Sequence, residues 1–237
     1  MATVEHPPIT TADRIDVLDH GFVRLDACMA DDLSVVNSAR VSFAQHSSEM
    51  TEREQGLIRF LIRERHGSPT EHNAFRFHIK CPIFVCREWQ RHRIGSFNEW
   101  SARYSQLDAE FYVPEPEDVR TQVGKPGAYS FEPVDPDLAE RTRDAQRAVY
   151  QQAYATYQEL LEQGVAKEVA RNVLPVAIYT QFFWTVNARS LMNFVSLRNS
   201  ETAQREIRRY AEAVEAFFEQ RMPVTHAAFV ENGRRAP

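Results

Sequence analysis

Cysteine is scarce in this chain of 237 residues: Cys28, Cys81 and Cys86 are the only three, and none forms a CxxC pair. An odd count without paired spacing supplies no disulfide framework and fits a reducing compartment, the cytoplasm. Excess basic charge is lacking too. Lys and Arg number 28 against 33 Asp and Glu, a formal net charge of −5. Such a chain has no global basic field for sequence-independent binding of nucleic acid, so any anion site must be a local cluster of arginines. Long apolar runs are missing as well. The longest nearly apolar stretch, Val173 to Val186, is interrupted by Pro175, Thr180 and Gln181. It is too short to span a bilayer and reads as a buried element. The opening MATVEHPPITTADR carries acidic residues and no apolar core region, so it does not read as a secretory signal. What remains is ordinary for a soluble globular chain, 43% hydrophobic and 26% charged, and long enough for one well-filled core.

Residues 1–14 are Pro- and Thr-rich without period and read as a loose tail, leaving 15–237 as one domain. Thr51 and Glu54 form a capping-box pattern ahead of Leu57, Ile58, Leu61 and Ile62, with Gly67 and Pro69 as stops. Ser68-Pro69-Thr70-Glu71 repeats the pattern and starts a short second helix. Phe75, Phe77 and Ile79 alternate with Arg76, His78 and Lys80, the mark of a half-buried strand. From Pro82 to Arg91 a buried helix is expected, broken by Gly95, Ser96 and Asn98. EFYV at 110–113 reads as a short strand and 114–136 as a long surface excursion. A helix over 137–163 ends at Gly164, another covers 166–173, and VAIYTQFFWTV is a strand. Asn187 caps a helix to about Leu197, and Ser200 caps the long one carrying Ile207, Tyr210, Val214, Phe217 and Phe218. Few strands among many helices predict an α+β fold, a single domain with one modest sheet flanked by several helices.

The densest polar segment is RHRIGSFNEWSARY, residues 91–104. A solvated loop is one reading. The other is a nucleotide or phosphate pocket: Arg91, Arg93 and Arg103 offer forked donors for phosphate oxygens, and Phe97, Trp100 and Tyr104 offer stacking faces. Binding of RNA or single-stranded DNA would use the same residues, although the acidic balance opposes it. A nucleotide phosphohydrolase would want a carboxylate cluster for Mg²⁺, and none is evident beside the arginines.

Arg91-His92-Arg93, seven intervening residues and Ser101 resemble the signature of the flavin-dependent thymidylate synthases. HGSPTEH (66–72), FRFHIKCPIFV (75–85), EVARNVLP (168–175) and TQFFWTVNARSLMNFVSLR (180–198) resemble that family's other blocks, in order. The resemblance implies reductive methylation of dUMP to dTMP, with FAD as cofactor and NADPH and 5,10-methylenetetrahydrofolate as co-substrates. It implies a homotetramer, while the acidic balance and the short apolar run lead to no nucleic-acid or membrane partner being expected. His66, Ser68, Arg91, His92, Arg93, Glu99, Asn187, Arg189 and Asn193 match positions that contact FAD. Glu88, Arg91, Glu99, Ser101, Arg103, Arg171 and Arg198 match positions that hold dUMP, although many members carry glutamine where Glu88 stands. Arg198 matches the catalytic arginine that stabilises charge on the uracil ring.

Other chemistry-bearing residues have plainer readings. Cys81 and Cys86 suit a core, and none of the three cysteines sits in a Pro-Cys-His nucleophile setting. His66, His72 and His78 share no helical face and complete no ligand set, so no metal is expected. Phe182, Phe183 and Trp184 read as core, and Arg205, Arg208 and Arg209 as a solvated face. On a helix from Asn187, Leu191, Phe194 and Val195 define one face with Arg198 in its middle, while Arg189 and Asn193 share the opposite face. Two faces of one helix serving one pocket suggests active sites built from more than one subunit.

Overall fold

A computed structural model of the protein describes residues 13–125 and 128–237. Of the expected tail, residues 1–12 lie outside the described residues, and Arg14 already opens a strand. In chain order the elements begin with β1 (Arg14–Val17), β2 (Gly21–Met29), α1 (Asp32–Arg40), α2 (Glu52–Arg63), β3 (Ala74–Pro82), α3 (Ile83–Trp89) and β4 (Ser96–Glu99). A hairpin of β5 (Arg120–Lys125) and β6 (Ala128–Pro133), then α4 (Pro136–Glu162) and α5 (Lys167–Ala170), come next. The chain closes with β7 (Tyr179–Asn187), α6 (Ala188–Arg198), α7 (Arg205–Arg221) and α8 (Pro223–Glu231). This is the expected α+β class: a five-stranded sheet in the order β1-β2-β3-β7-β4, with the β5–β6 pair standing separately. No helix among the described residues is long and apolar enough to cross a membrane.

The chain divides into two compact units. The first comprises Met1–Cys81, Val85–Glu99 and Gln181–Pro237. Its sheet pairs β2 antiparallel to both β1 and β3, and β4 antiparallel to β7. Alternation along β3 holds as expected, with Phe75, Phe77 and Ile79 fully buried. Phe77 stacks on Phe75 and on Trp184 of β7, and the stripe Ile207, Tyr210, Val214, Phe217 and Phe218 of α7 packs over this face. On β7 the same alternation buries Phe182 and Trp184 but turns Phe183 out, where it is 38% exposed and stacks on His78. The expectation of three core aromatics therefore holds for two of them.

Helix ends are set by specific partners. Asp31 caps α1 by accepting from the Ser34 N–H at 2.7 Å, and Asp32 accepts from the N–H groups of Val224 and Thr225 at the start of α8. Asn187 caps α6 through the Ser190 N–H, as expected. Thr51 precedes α2 but donates to the Glu54 carboxylate rather than capping a backbone N–H. α2 stops at Arg63, before Gly67: Arg65 adopts φ +61°, and the bonds His66 N–H to Leu61 O and Arg65 N–H to Ile62 O complete a Schellman turn. The expected second helix is a single 3-10 turn, Ser68–His72. α7 begins after Gln204 rather than at Ser200, whose hydroxyl bonds Thr202 instead.

The second unit comprises Pro82–Phe84 and Trp100–Thr180. α4 fulfils the expected long helix, and Gly164, at φ +83°, ends it with backbone bonds from Gly164 and Val165 to Leu161 and Leu160. The helix expected over 166–173 is α5 followed by a 3-10 turn at Arg171–Val173. EFYV is not a strand. Its backbone meets 177–179 at the isolated bridge Phe111–Ile178, flanked by bonds from Tyr112 N–H to the Ala177 oxygen and from Tyr179 N–H to the Glu110 oxygen. The excursion after Pro114 is exposed but not structureless, since it folds back as the β5–β6 hairpin.

The two faces of the sheet should differ sharply in tolerance. Phe77→Ala removes a fully buried ring and should cost about 3–5 kcal/mol, whereas Phe183→Ala, on the open face, should cost about 1 kcal/mol. Urea unfolding midpoints of the two variants check this; equal losses would mean that the buried face is assigned wrongly.

Candidate functional site

α3 delivers the RHR segment. Trp89, its last residue, is fully buried, so the chain must leave the core at Gln90, and Arg91, His92 and Arg93 follow at the surface. Gly95 then approaches the indole of Trp184 closely, and the backbone joins β7 as β4, with Ser96 opposite Thr185 and Glu99 opposite Phe182. The segment expected to be a loop thus contains an edge strand. It fixes Glu99, whose carboxylate accepts from the Gln90 amide at 3.2 Å.

α6 supplies the facing wall. Its buried side is Leu191, Met192, Phe194 and Val195. Arg189, Asn193 and Leu197 follow one another at i, i+4 spacing along the rim. Arg198, in the last turn, reaches back to α3: its Nε donates to His92 Nε2 at 3.0 Å, its Nη1 to Glu88 Oε2 at 3.1 Å, and its Nη2 to the Glu88 carbonyl at 3.1 Å. Arg189 Nη1 meets Glu71 at 2.5 Å, and its Nε donates to the Pro237 oxygen at 2.9 Å. Between these groups lies a cavity of about 820 Å³ lined by Arg91, His92, Arg93, Asn187, Arg189, Asn193 and Arg198, with Ala236 and Pro237 on its edge. One copy of α6 therefore presents Arg189, Asn193 and Arg198 to one cavity. The opposite faces of α6 thus do not by themselves require a second subunit.

His66 and Ser68 line a different cavity, of about 670 Å³, with Arg40, Phe43, Arg53 and Phe60. Between His66 and Ser68 in sequence, Gly67 has its backbone so close to Arg189 that an added Cβ would stand 2.5 Å from Nε. Ser101, Arg103 and Arg171 belong to the second unit. There Arg103 Nε donates to Glu168 of α5 at 3.2 Å, and Arg171 opens the 3-10 turn directly after α5. Arg65, Glu71 and Ser190 also line the first cavity; the last two lie in the family blocks without a site role from the resemblance, and Arg65 carries no sequence signal. Among the described residues, no group of His, Cys, Asp and Glu is arranged to hold a metal ion.

Burial governs the titration of the Arg198 cluster. Desolvation, reinforced by the Arg198 charge, pushes His92 down to about 4, so at neutral pH it is uncharged and accepts from Arg198. Desolvation also pushes the Glu88 carboxyl up, and it outweighs the opposing pull of Arg198 at 3.1 Å.

The family described as thymidylate synthase complementing protein, Thy1, matches residues 24–224. The chain belongs to the Thy1 family. A flavin-dependent thymidylate synthase of Thermosipho africanus is 46% identical over 215 residues, covering 91% of this chain and 93% of that protein. One from Streptomyces coelicolor is 46% identical over 237 residues, covering 94% and 96%. Among solved structures, the UMP/dUMP methylase PolB from Streptomyces cacaoi bound with 5-Br dUMP superposes with a TM-score of 0.86 at 42% identity, covering 94% of this chain and all of that one. Thy1 membership thus spans both units, and the arginine cavity lies within the matched residues apart from Ala236 and Pro237.

The His92 environment has a stability consequence. An unfolded chain takes up a proton on this histidine near its ordinary 6.5, whereas the folded chain resists until about 4. Its contribution to stability is therefore complete above pH 6.5 and is lost as pH falls towards 4. His92→Gln, which keeps an acceptor but cannot titrate, should flatten the fall in melting temperature across that window. His78, also held down by burial, leaves part of the slope in place. An unchanged slope would show that His92 is not held neutral.

Proposed function

We propose that this chain is a cytoplasmic flavin-dependent thymidylate synthase. It methylates dUMP to dTMP with the carbon of 5,10-methylenetetrahydrofolate and reducing power from NADPH passed through FAD. The observation that carries the reading is the arginine-lined cavity in which Arg198 is held in place by Glu88 and a neutral His92. The relatives at 46% identity bear that enzyme's name, and the PolB structure contains a dUMP analogue. The three thiols are free, which suits the cytoplasm. A homotetramer with composite active sites is the assembly we propose on family resemblance alone, since α6 by itself calls for no second copy.

The donor set fits FAD. A dinucleotide brings two phosphates and a flat ring system, and a cavity of about 820 Å³ with Arg91, Arg93 and Arg189 offers forked donors at the volume common for such ligands, about 300–1,000 Å³. Asn187, Asn193 and His92 add neutral polar groups to this lining, whereas His66, Ser68 and Glu99, which do not line the cavity, are assigned to the cofactor by the resemblance alone. When bound, the flavin supplies the hydride. By the resemblance, Glu88, Arg91, Glu99, Ser101, Arg103 and Arg171 are assigned to dUMP, and Arg198 to its pyrimidine. Uracil C5 is a weak nucleophile. A guanidinium donating to the O2/N3 edge stabilises the negative charge that develops as N3 gives up its proton, and so raises electron density at C5. No cysteine is needed for this. Cys81 and Cys86 are buried, and burial raises the Cys28 thiol, the wrong direction for a nucleophile.

Reconstitution with FAD, gel filtration and a visible spectrum test the reading directly, followed by an assay of dTMP formation. A folded protein that takes up no flavin would sink it. Gly67→Ala sharpens the test. Gly67 has φ −79° and ψ −23°, so alanine fits the backbone while its methyl displaces Arg189. FAD affinity should fall about tenfold, as for one charge-assisted hydrogen bond, with the melting temperature held within about 3 °C. Unaltered affinity would remove Arg189 from the cofactor site.

Arg198→Lys keeps the charge and loses the planar fork. Oxidation of reduced flavin by dUMP and methylenetetrahydrofolate should slow at least about tenfold, while reduction of FAD by NADPH changes much less. Equal slowing of both half-reactions would make Arg198 a structural residue.

A further inference from the structure

The resemblance puts Glu88 on the nucleotide; the geometry points to a different task. We propose that Glu88 is the positioning residue for Arg198: it sets the plane of the guanidinium and leaves two N–H donors directed at the substrate. The inference rests on the thymidylate synthase reading, and it begins from a count. A guanidinium has five N–H groups. Here Nε, one Nη1 proton and one Nη2 proton are taken by His92 Nε2, Glu88 Oε2 and the Glu88 carbonyl. One N–H on each terminal nitrogen remains to donate to a ligand's acceptors.

Three features make the grip rigid. Glu88 contributes two of the three acceptors from one residue, one through its side chain and one through its backbone. Its neighbour Trp89 is fully buried against Phe194, Trp184, Phe182 and Tyr210, so the carbonyl cannot shift without disturbing the core. The pair is also shielded, with side chains 20% and 23% exposed, so water competes poorly for either partner. A carboxylate in this position accepts from Arg198 and has nothing to donate to a pyrimidine oxygen. A glutamine amide oxygen would accept the same Arg198 proton.

A carboxylate differs from an amide in one respect, because its half of the pair can be lost to a proton. The charged groups facing Glu88 are Arg198 and Arg91, which favour its ionised form, and Glu206 of α7, which opposes it. Burial opposes it more strongly, so the carboxyl titrates above its ordinary range. As pH falls through that raised value, Glu88 becomes neutral, the charge pairing with Arg198 goes, and the fork loosens. His92 loses its free acceptor only later, near 4.

The test measures kcat and the KM for dUMP in the FAD-loaded enzyme from about pH 5 to 9, for the parent, Glu88→Gln, Glu88→Ala and Glu206→Gln. Glu88→Ala should lower kcat at least about tenfold with KM within about threefold, and Glu88→Gln should restore kcat to within about threefold of the parent. The parent should lose kcat on the acid side above the ordinary carboxylate range. Glu206→Gln should move that limb to lower pH, and Glu88→Gln should abolish it. A rise in KM at constant kcat would place Glu88 on the nucleotide instead. An unchanged kcat in Glu88→Ala, or an acid limb surviving in Glu88→Gln, would overturn the proposal. A thermal double-mutant cycle of Glu88→Ala and Arg198→Ala in the flavin-free protein decides the contact independently of turnover. The double variant should melt no lower than the worse single one, and additive losses would overturn the pairing. If the parent makes no dTMP, the functional reading fails while the thermal cycle still judges the pair.

Discussion

Trp89 is surrounded on every side: it stacks on Phe194 at 4.6 Å and meets Trp184, Phe182 and Tyr210 edge-on at 5.3–6.0 Å between ring centroids. One side chain thus ties α3 to β7, α6 and α7. Truncating a core residue of this size costs about 3–5 kcal/mol, a large part of a domain's net stability, so these contacts cannot slide freely. The functional geometry is a by-product of that constraint. Glu88 precedes the tryptophan, His92 follows it by three positions, and Phe194, stacked on it, lies one helical turn before Arg198. Fix Trp89 against Phe194, and Glu88, His92 and Arg198 have little choice but to meet.

The same dependence explains which parts of the molecule could be read without coordinates. Elements whose pattern is local were legible: β3 with its strict alternation, α4 with its glycine stop, and α7 with its apolar stripe. The candidate residues around Arg91–Arg93 and Asn187–Asn193 were legible as well, through family blocks and arginine chemistry. β4 was not, because SFNE is a four-residue polar edge strand whose pairing is dictated by β7 rather than by its own composition. β1 and β2 were obscured differently: a register shift between Leu25 and Ala27 breaks the alternation part-way along β2. The Glu88–Arg198 pair joins residues 110 positions apart, and no spacing rule reaches that far.

A second polar centre shows how tertiary structure gives meaning to residues that carry no signal alone. Glu215 is buried on α7 and accepts from Asn199, His226 and Arg234, which come from the end of α6, from α8 and from the chain beyond it. These donors hold its carboxyl below the ordinary range although burial pushes the other way. A buried carboxylate is tolerable only when its lone pairs are filled in this way. Here the filling also anchors the C-cap of α6, the helix that carries Arg189, Asn193 and Arg198.

The chain is acidic overall yet rich in candidate anion-binding arginines, and pairwise compensation reconciles the two. Arg189 carries Glu71 as its carboxylate, Arg103 carries Glu168, and Arg198 carries Glu88. The pairs are not equivalent. Arg189–Glu71 and Arg103–Glu168 are open to water, at 46%/43% and 53%/55% side-chain exposure, and exposed pairs contribute only about 0–1 kcal/mol. An exposed pair of this kind costs little to open, so exchanging its carboxylate for another anion would carry a small penalty. Arg198 is shielded and held by three acceptors, and an incoming ligand gains little by displacing Glu88 when two N–H donors are already unused. The physical division follows from burial alone: exposed arginines suit recognition by exchange, and the shielded one suits a fixed donor whose orientation survives each change of occupant.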